Sequence, residues 1–411
     1  MSENGEMRPD ICVIGTDSAG FDVAFAAAGL GVPVVLVTQD AVDTDGAAAL
    51  RRLRALGVLV VEGTGAFIDK NRFRLGEAAG RGVVRARRYV IATGAGPRIP
   101  AIPGIELTQE RATETGSAHL LIIGAGPEGV LQAVLPRPAG CRVTLMAQSA
   151  LLADFDHEAV AVLRVKLERG GVHVREHVPL ASAAIHSDGP GGFLLTFGDD
   201  IGPLPFTHLR LECGITPRLD GLDLGRAGVA LGDGKPVLTR SLRTTNRRIY
   251  VVGGATGDTV SLYHTKAESG AVLGEILFRK TATLDPSLRT RLVRTRLALA
   301  ETGLREQDIK PGQTSRYRFY RAPIGAGHIK VIASPKGQIF GVSILAEDAA
   351  EIMPVFSLAM ANGTPLQALA SLPIAAPSHA EAIGHLARLA VRDRLRSPGM
   401  MRLMRFLRLF G

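Results

Sequence analysis

Twice along this chain an apolar run ends in a glycine turn and passes into a helix-like segment, an order that dictates a parallel β-α-β unit. The first instance runs from Asp10-Ile-Cys-Val-Ile14 through Gly15-Thr-Asp-Ser-Ala-Gly20 into Phe21–Ala28. The second runs from His119-Leu-Leu-Ile-Ile123 through Gly124-Ala-Gly-Pro-Glu-Gly129 into Val130–Leu135. Each is followed by another strand-like run, Val32–Val37 and Arg142–Met146 respectively. Such a turn binds a dinucleotide because the new helix starts with free N–H groups facing the ligand. Its first glycine makes the turn, its second admits the pyrophosphate to the backbone, and its third lets helix pack on strand.

The two turns are not equivalent. The second keeps all three glycines, whereas Asp17 takes the middle place of the first. A side chain and a negative charge then lie where a diphosphate would pass, and both oppose binding. A doubly wound unit without nucleotide is the competing reading, and it weighs more on the first turn than on the second.

Composition narrows the classes. With 411 residues, 46% of them hydrophobic, the chain is large enough for two or three domains. There is no tryptophan and only 5 tyrosines, which argues against aromatic platforms for single-stranded nucleic acid. No apolar run reaches membrane-spanning length, and the N-terminus lacks a signal-peptide pattern, so a cytoplasmic location is expected. Cys12, Cys141 and Cys213 are far apart and form neither a metal-ligand spacing nor a dithiol motif. Reduced thiols and no metal are expected.

Charge gathers at the C-terminus. From Leu386 onward the chain carries Arg388, Arg392, Arg394, Arg396, Arg402, Arg405 and Arg408 against one acid, Asp393. In Met401–Phe410 arginine recurs every third residue among large apolar side chains, which on a helix separates a cationic face from an apolar one. Such a segment suits peripheral contact of 398–411 with an anionic membrane, or docking on the protein's own body or a second subunit. The rest of the +9 net charge is too thinly spread for nucleic acid binding.

Further motifs fix the organisation. Tyr89–Ala92 feeds Ala92-Thr-Gly-Ala-Gly-Pro-Arg-Ile-Pro-Ala-Ile-Pro-Gly104, where Pro97, Pro100 and Pro103 exclude helix and central strand. A related turn, Gly214-Ile-Thr-Pro217, follows Arg210–Cys213, and Arg248–Gly257 precedes a helix-like run from Ser261 to Phe278. Strands are expected at Ile329–Ala333 and Gln338–Leu345, with a helix at Ala349–Ala361.

Together these motifs resemble the two-dinucleotide flavoprotein disulfide reductases, the family of dihydrolipoamide dehydrogenase, glutathione reductase and mercuric reductase. The likeness rests on Ala92–Gly104, Gly214–Leu222, Leu242–Tyr250, and Gly327-His-Ile-Lys330 with Gly341, Ala350-Glu351-Ile352, Ala359 and Leu369. It implies an α/β fold of two Rossmann-like domains, the NAD(P) domain inserted in the FAD domain, followed by an α+β dimerisation domain. The expected division is 1–107 and 239–284 for the FAD-type domain, 108–238 for the NAD(P)-type domain, 285–385 for the interface and 386–411 for the tail. A homodimer follows from the same resemblance. So do FAD-facing positions at Gly15, Gly20, Thr38, Ala92, Thr93, Gly94, Gly254 and His264. Gly124, Gly126, Glu128, Gly129 and Gly214 are the corresponding NAD(P) positions.

Departures from the family pattern bear on chemistry. The Cys-x-x-x-x-Cys helix is missing, because Thr38–Gly46 passes almost directly into Ala47–Leu56. Disulfide reduction needs one thiolate to attack and another to relay electrons, so that mechanism is excluded. Of the family's His-Glu acid/base pair Glu381 remains, but the histidine place is Ala376, which cannot move a proton. His379, nearby, and His264 are the remaining candidates; His379 reads rather as a surface or interface histidine, and His264 equally as a helix-capping or core one.

Cofactor contacts are thinned as well. Thr38 stands where an acid grips the adenosine ribose, and Gly253-Gly254 replaces a Gly-Asp pair. Losing two charge-assisted hydrogen bonds weakens FAD affinity by about 10²- to 10⁴-fold. Asp40 and Asp258 are possible replacements. Ala147, at the end of the strand after the second turn, selects neither NAD nor NADP. Two functions follow: an FAD-dependent NAD(P)H oxidoreductase delivering electrons to a small-molecule, non-disulfide acceptor, or a catalytically inactive nucleotide-binding, scaffold or regulatory dimer.

Overall fold

The computed structural model describes residues 6–38, 44–76, 82–108, 118–135, 140–189, 192–197, 202–258, 262–280 and 284–409. Asp40, Pro136 and Pro138 lie outside them, as does Phe410. The chain divides into two compact units, one of residues 1–98 and 214–285, the other of residues 99–213 and 286–411.

The first unit is built on a five-stranded parallel sheet. Its spatial order is Ile249–Val251, Arg88–Ile91, Ile11–Ile14, Val34–Thr38 and Leu59–Glu62. The three central strands are almost wholly buried because both faces are covered, which explains their continuous rather than alternating apolar pattern. The helix Ser18–Gly29 lays Ala19, Val23, Ala24 and Ala27 against the sheet. Its small side chains also allow close packing on the helix Leu262–Phe278. The helix Thr44–Ala55 follows the second central strand with only 39–43 between them. Residues 95–97 pair antiparallel with Ile215–Pro217, so the start of the first proline-bearing turn, with Pro97, and the second turn belong to this unit.

The second unit opens with a parallel sheet in the order Val172–Arg175, Arg142–Met146, His119–Ile123 and His208–Leu211. The helix Pro127–Val134 is short, and His157–Arg169 follows with Asp156 capping its first turn. The same unit holds a five-stranded antiparallel sheet. Gly327–Ala333 and Ile339–Ala346 lie at its centre, close to the expected strands, and Ala349–Ala361 is helical as expected. Helices Glu381–Leu395 and Pro398–Leu407 end the described chain.

A buried charged cluster lies within this second unit. Lys330 and Asp156, each 2% exposed or less, meet at 2.5 Å, and Lys330 also reaches Glu158 and Glu306. Beside them Glu301 accepts the Asp156 N–H at 2.7 Å and the Ser343 hydroxyl at 2.9 Å. Burial pushes the Glu301 carboxyl up to about 7 against the opposing pull of those donors and Arg291.

Candidate functional site

Both glycine turns have the geometry their sequences require. At the first, Gly15 adopts φ +103° and donates its N–H to Val37, and a Cβ there would strike the carbonyl of Ala92. Gly20 packs just as closely on the carbonyl of Gly15. At the second, Gly124 adopts φ +120° against the carbonyl of Glu212, and Gly129 lies on the carbonyl of Gly124. First and third glycines thus serve the backbone in both turns.

The middle positions differ. Gly126 is the N-cap of its helix without any side-chain cap, and a Cβ placed on it would meet nothing within 4 Å. The open space and free helix end suit a pyrophosphate. Asp17 is the N-cap of the first-turn helix, and its carboxylate accepts the Gly20 N–H at 2.9 Å. The nearby Ala19 and Gly254 N–H groups add a favourable field that helps to lower its carboxyl pKa. The anion that a helix N-terminus recruits is therefore already covalently present.

Gly253 and Gly254 complete that arrangement. Gly253, at φ +64°, lies so close to Asp17 Oδ2 that any Cβ would collide with the carboxylate. Its N–H donates to the buried Glu268 at 2.9 Å. A Cβ on Gly254 would fall 2.9 Å from the Ala95 nitrogen. Asp17 and the Gly253-Gly254 pair are thus neighbours in space although far apart in the chain. Burial, with Glu268 adding to it, raises the Asp17 carboxyl to about 6 although three N–H groups hold it down.

The other flavin-type positions keep structural partners. Thr38 is buried and its carbonyl accepts the Gly63 N–H. Thr93 donates its hydroxyl to the Arg218 carbonyl, and Gly94, at φ +71°, accepts the Arg218 N–H. Ala92 is buried, His264 lies half-buried in the first turn of its helix, and Asp258 pairs with Lys235 at 3.4 Å. The backbone frame of a flavin site survives, but Asp17 fills the pyrophosphate position, and the residues present do not fit a tightly held FAD.

Around the second turn, Glu128 pairs with Arg294 at 3.1 Å and Ala147 is buried at its strand end. Gly214, at φ +96°, lies in the first unit, its carbonyl bound by the Arg98 N–H. Arg175 joins this turn only in the folded chain. Its strand pairs with Arg142–Met146 so that Arg175 lies opposite Met146, exposed and one position from Ala147. Only the register of two strands well separated in the chain could have revealed it.

The acid/base candidates are otherwise engaged. Glu381 accepts the Ser378 N–H at 2.9 Å at the start of its helix. His379 binds Asp348 through Nδ1 at 2.8 Å, and Ala376 is exposed without a titratable group. All three cysteines are free thiols. Cys12 is fully buried in a central strand, where desolvation pushes its thiol pKa far up. Cys141 and Cys213 flank strands separated by His119–Ile123. No metal-holding group occurs among the described residues.

A family model described as pyridine nucleotide-disulphide oxidoreductase matches residues 47–270, and that family's dimerisation domain matches residues 290–387. The chain belongs to the pyridine nucleotide-disulphide oxidoreductase family. The first match begins beyond the Asp17 turn. Mercuric reductase of Streptomyces lividans is 30% identical over 334 residues, covering 76% of this chain and 70% of the relative. Dihydrolipoyl dehydrogenase of Chlorobaculum parvum is 22% identical over 472 aligned positions, covering 96% and 99%. Among solved structures, a Cu(II) complex of the HOCl-induced flavoprotein disulfide reductase RclA from Escherichia coli superimposes with a TM-score of 0.79. It is 21% identical, with 93% and 99% of the chains covered, and supports the fold. Members of the family use FAD and NAD(P)H, and the dimerisation domain indicates a homodimer. No helix among the described residues is long and apolar enough to cross a membrane.

Proposed function

We propose that this family member is a nicotinamide-nucleotide-binding dimer that does not reduce disulfides and acts as a regulatory or scaffold protein. The observation that carries the reading is the Asp17 carboxylate hydrogen-bonded to the Gly20 N–H at the helix N-terminus, in the space a flavin pyrophosphate needs. The open Gly126 turn supports binding of a nicotinamide nucleotide in the other unit. Arg175 near Ala147 supports acceptance of NADP, because a guanidinium can pair with a 2′-phosphate while no acid at Ala147 repels it. Loss of the dithiol and of the histidine at Ala376 removes disulfide chemistry from the same protein.

The purified protein should be colourless, should not take up added FAD, and should bind NADPH or NADH in calorimetric titration. A yellow protein whose flavin is bleached anaerobically by either nucleotide would overturn the reading. That outcome would support a second one, an FAD-dependent NAD(P)H oxidoreductase with a small-molecule, non-disulfide acceptor. The retained frame at Gly15, Gly20, Thr93 and Gly94 favours this alternative.

A further inference from the structure

The C-terminal helix Pro398–Leu407 is well specified yet largely uncovered. Ser397 caps it by accepting the Met400 N–H, Pro398 opens it, and none of its residues is fully buried. Met400 and Met404, one turn apart, are its half-buried residues, and it packs on the helix Glu381–Leu395. Leu403 and Leu407, also one turn apart, stay 47% and 56% exposed. At 100° per residue, Arg402, Arg405 and Arg408 fall on the side opposite Leu403 and Leu407. Among the described residues none of these three arginines forms an ion pair, and the tail's one acid, Asp393, lies near Tyr320, whose phenol pKa it helps to raise.

We infer that this helix docks on an anionic lipid surface. Its apolar side enters the boundary between headgroups and acyl chains, while the arginines extend their stems and place guanidinium groups on lipid phosphates. Charge selects lipid over a second copy of the chain. The +9 net charge gives another copy no acidic surplus to meet a cationic helix, whereas an anionic leaflet supplies it continuously. Each basic side chain near such a surface adds about fivefold in binding, so three add about 10²-fold. The inference rests on residues distinct from both glycine turns.

The chain has no tryptophan, so Leu407→Trp gives a fluorescent reporter confined to this helix. In the full-length protein its emission should shift to the blue on adding vesicles of equimolar phosphatidylglycerol and phosphatidylcholine. It should stay unchanged with phosphatidylcholine alone. Cosedimentation of the unlabelled protein should fall about 10²-fold in the Arg402→Gln, Arg405→Gln, Arg408→Gln triple variant. It should also fall in Leu403→Glu. Because all four side chains are exposed, the variants should keep the parent's circular dichroism and solution mass. Three results would overturn the inference: no binding to the anionic vesicles, equal binding to neutral ones, or a concentration-dependent blue shift without lipid. The last would show a second protein copy covering the helix.

Discussion

Asp17 accepts the backbone N–H of Gly20 at 2.9 Å and so caps, from within the chain, the helix end that its turn would otherwise present to a phosphate. Replacing it with glycine removes both the carboxylate and the Cβ. Asp17→Gly should cost only a few tenths of a kcal/mol as a lost cap. It should measurably increase FAD binding, read by quenching of flavin fluorescence. No gain in affinity would mean that Thr38 and Gly254 alone close the site.

The second turn separates binding from folding within a single motif. Gly126→Ala adds a methyl into open space, so the melting temperature should hold while affinity for nicotinamide nucleotide drops by about tenfold or more. Gly129→Ala instead forces a Cβ onto the Gly124 carbonyl and should destabilise the second unit. Calorimetric titration and thermal melts of both variants test the distinction. Equal nucleotide affinity in Gly126→Ala and the parent would contradict it.

Lys330 is buried among Asp156, Glu158 and Glu306. Lys330→Met leaves Asp156 buried without its cation and should lower stability by about 3–5 kcal/mol. Chemical denaturation measures this directly. A loss well under 1 kcal/mol would mean that Arg321, which also contacts Glu158 and Glu306, can carry the cluster alone.

Glu301 supplies a pH dependence of opposite sense to that of an ordinary ion pair. Its folded carboxyl is raised to about 7 from the usual 4.5, so the folded state holds the proton more tightly than the unfolded chain. The stability this gives is complete below about pH 4.5 and is lost as pH rises through about 7. Glu301→Gln should flatten that decline, because a carboxamide does not titrate. Parallel pH slopes for parent and variant across this window would exclude Glu301 as the source.

The nucleotide-binding frame was legible because its cause is local. Strand, glycine and helix follow one another in the chain, and Gly15, Gly20, Gly124 and Gly129 do what their spacing implies. Helices and strands of the C-terminal sheet were legible for the same reason. The meaning of Asp17 was only half legible. Its obstruction of a phosphate could be read from the turn, but its contact with Gly254 joins segments far apart in sequence. Gly254 therefore looked like an independent loss. Glu268, Arg175 and the partners of Lys330 were hidden likewise, since each acquires its role only from strand register or helix packing. His379 shows the converse, because proximity in sequence to Glu381 suggested a catalytic substitute while folding gives it to Asp348.

The internal cap has a consequence for how the protein persists. A protein that binds a cofactor only when folded draws stability from the cofactor's concentration by mass action. Here the positive end of the first-turn helix is neutralised by Asp17, a group that cannot dissociate. The first unit should therefore melt at one temperature whether flavin is scarce or plentiful. On the function proposed above, the chain would accumulate independently of flavin supply, with only its nicotinamide turn left to register the nucleotide state around it.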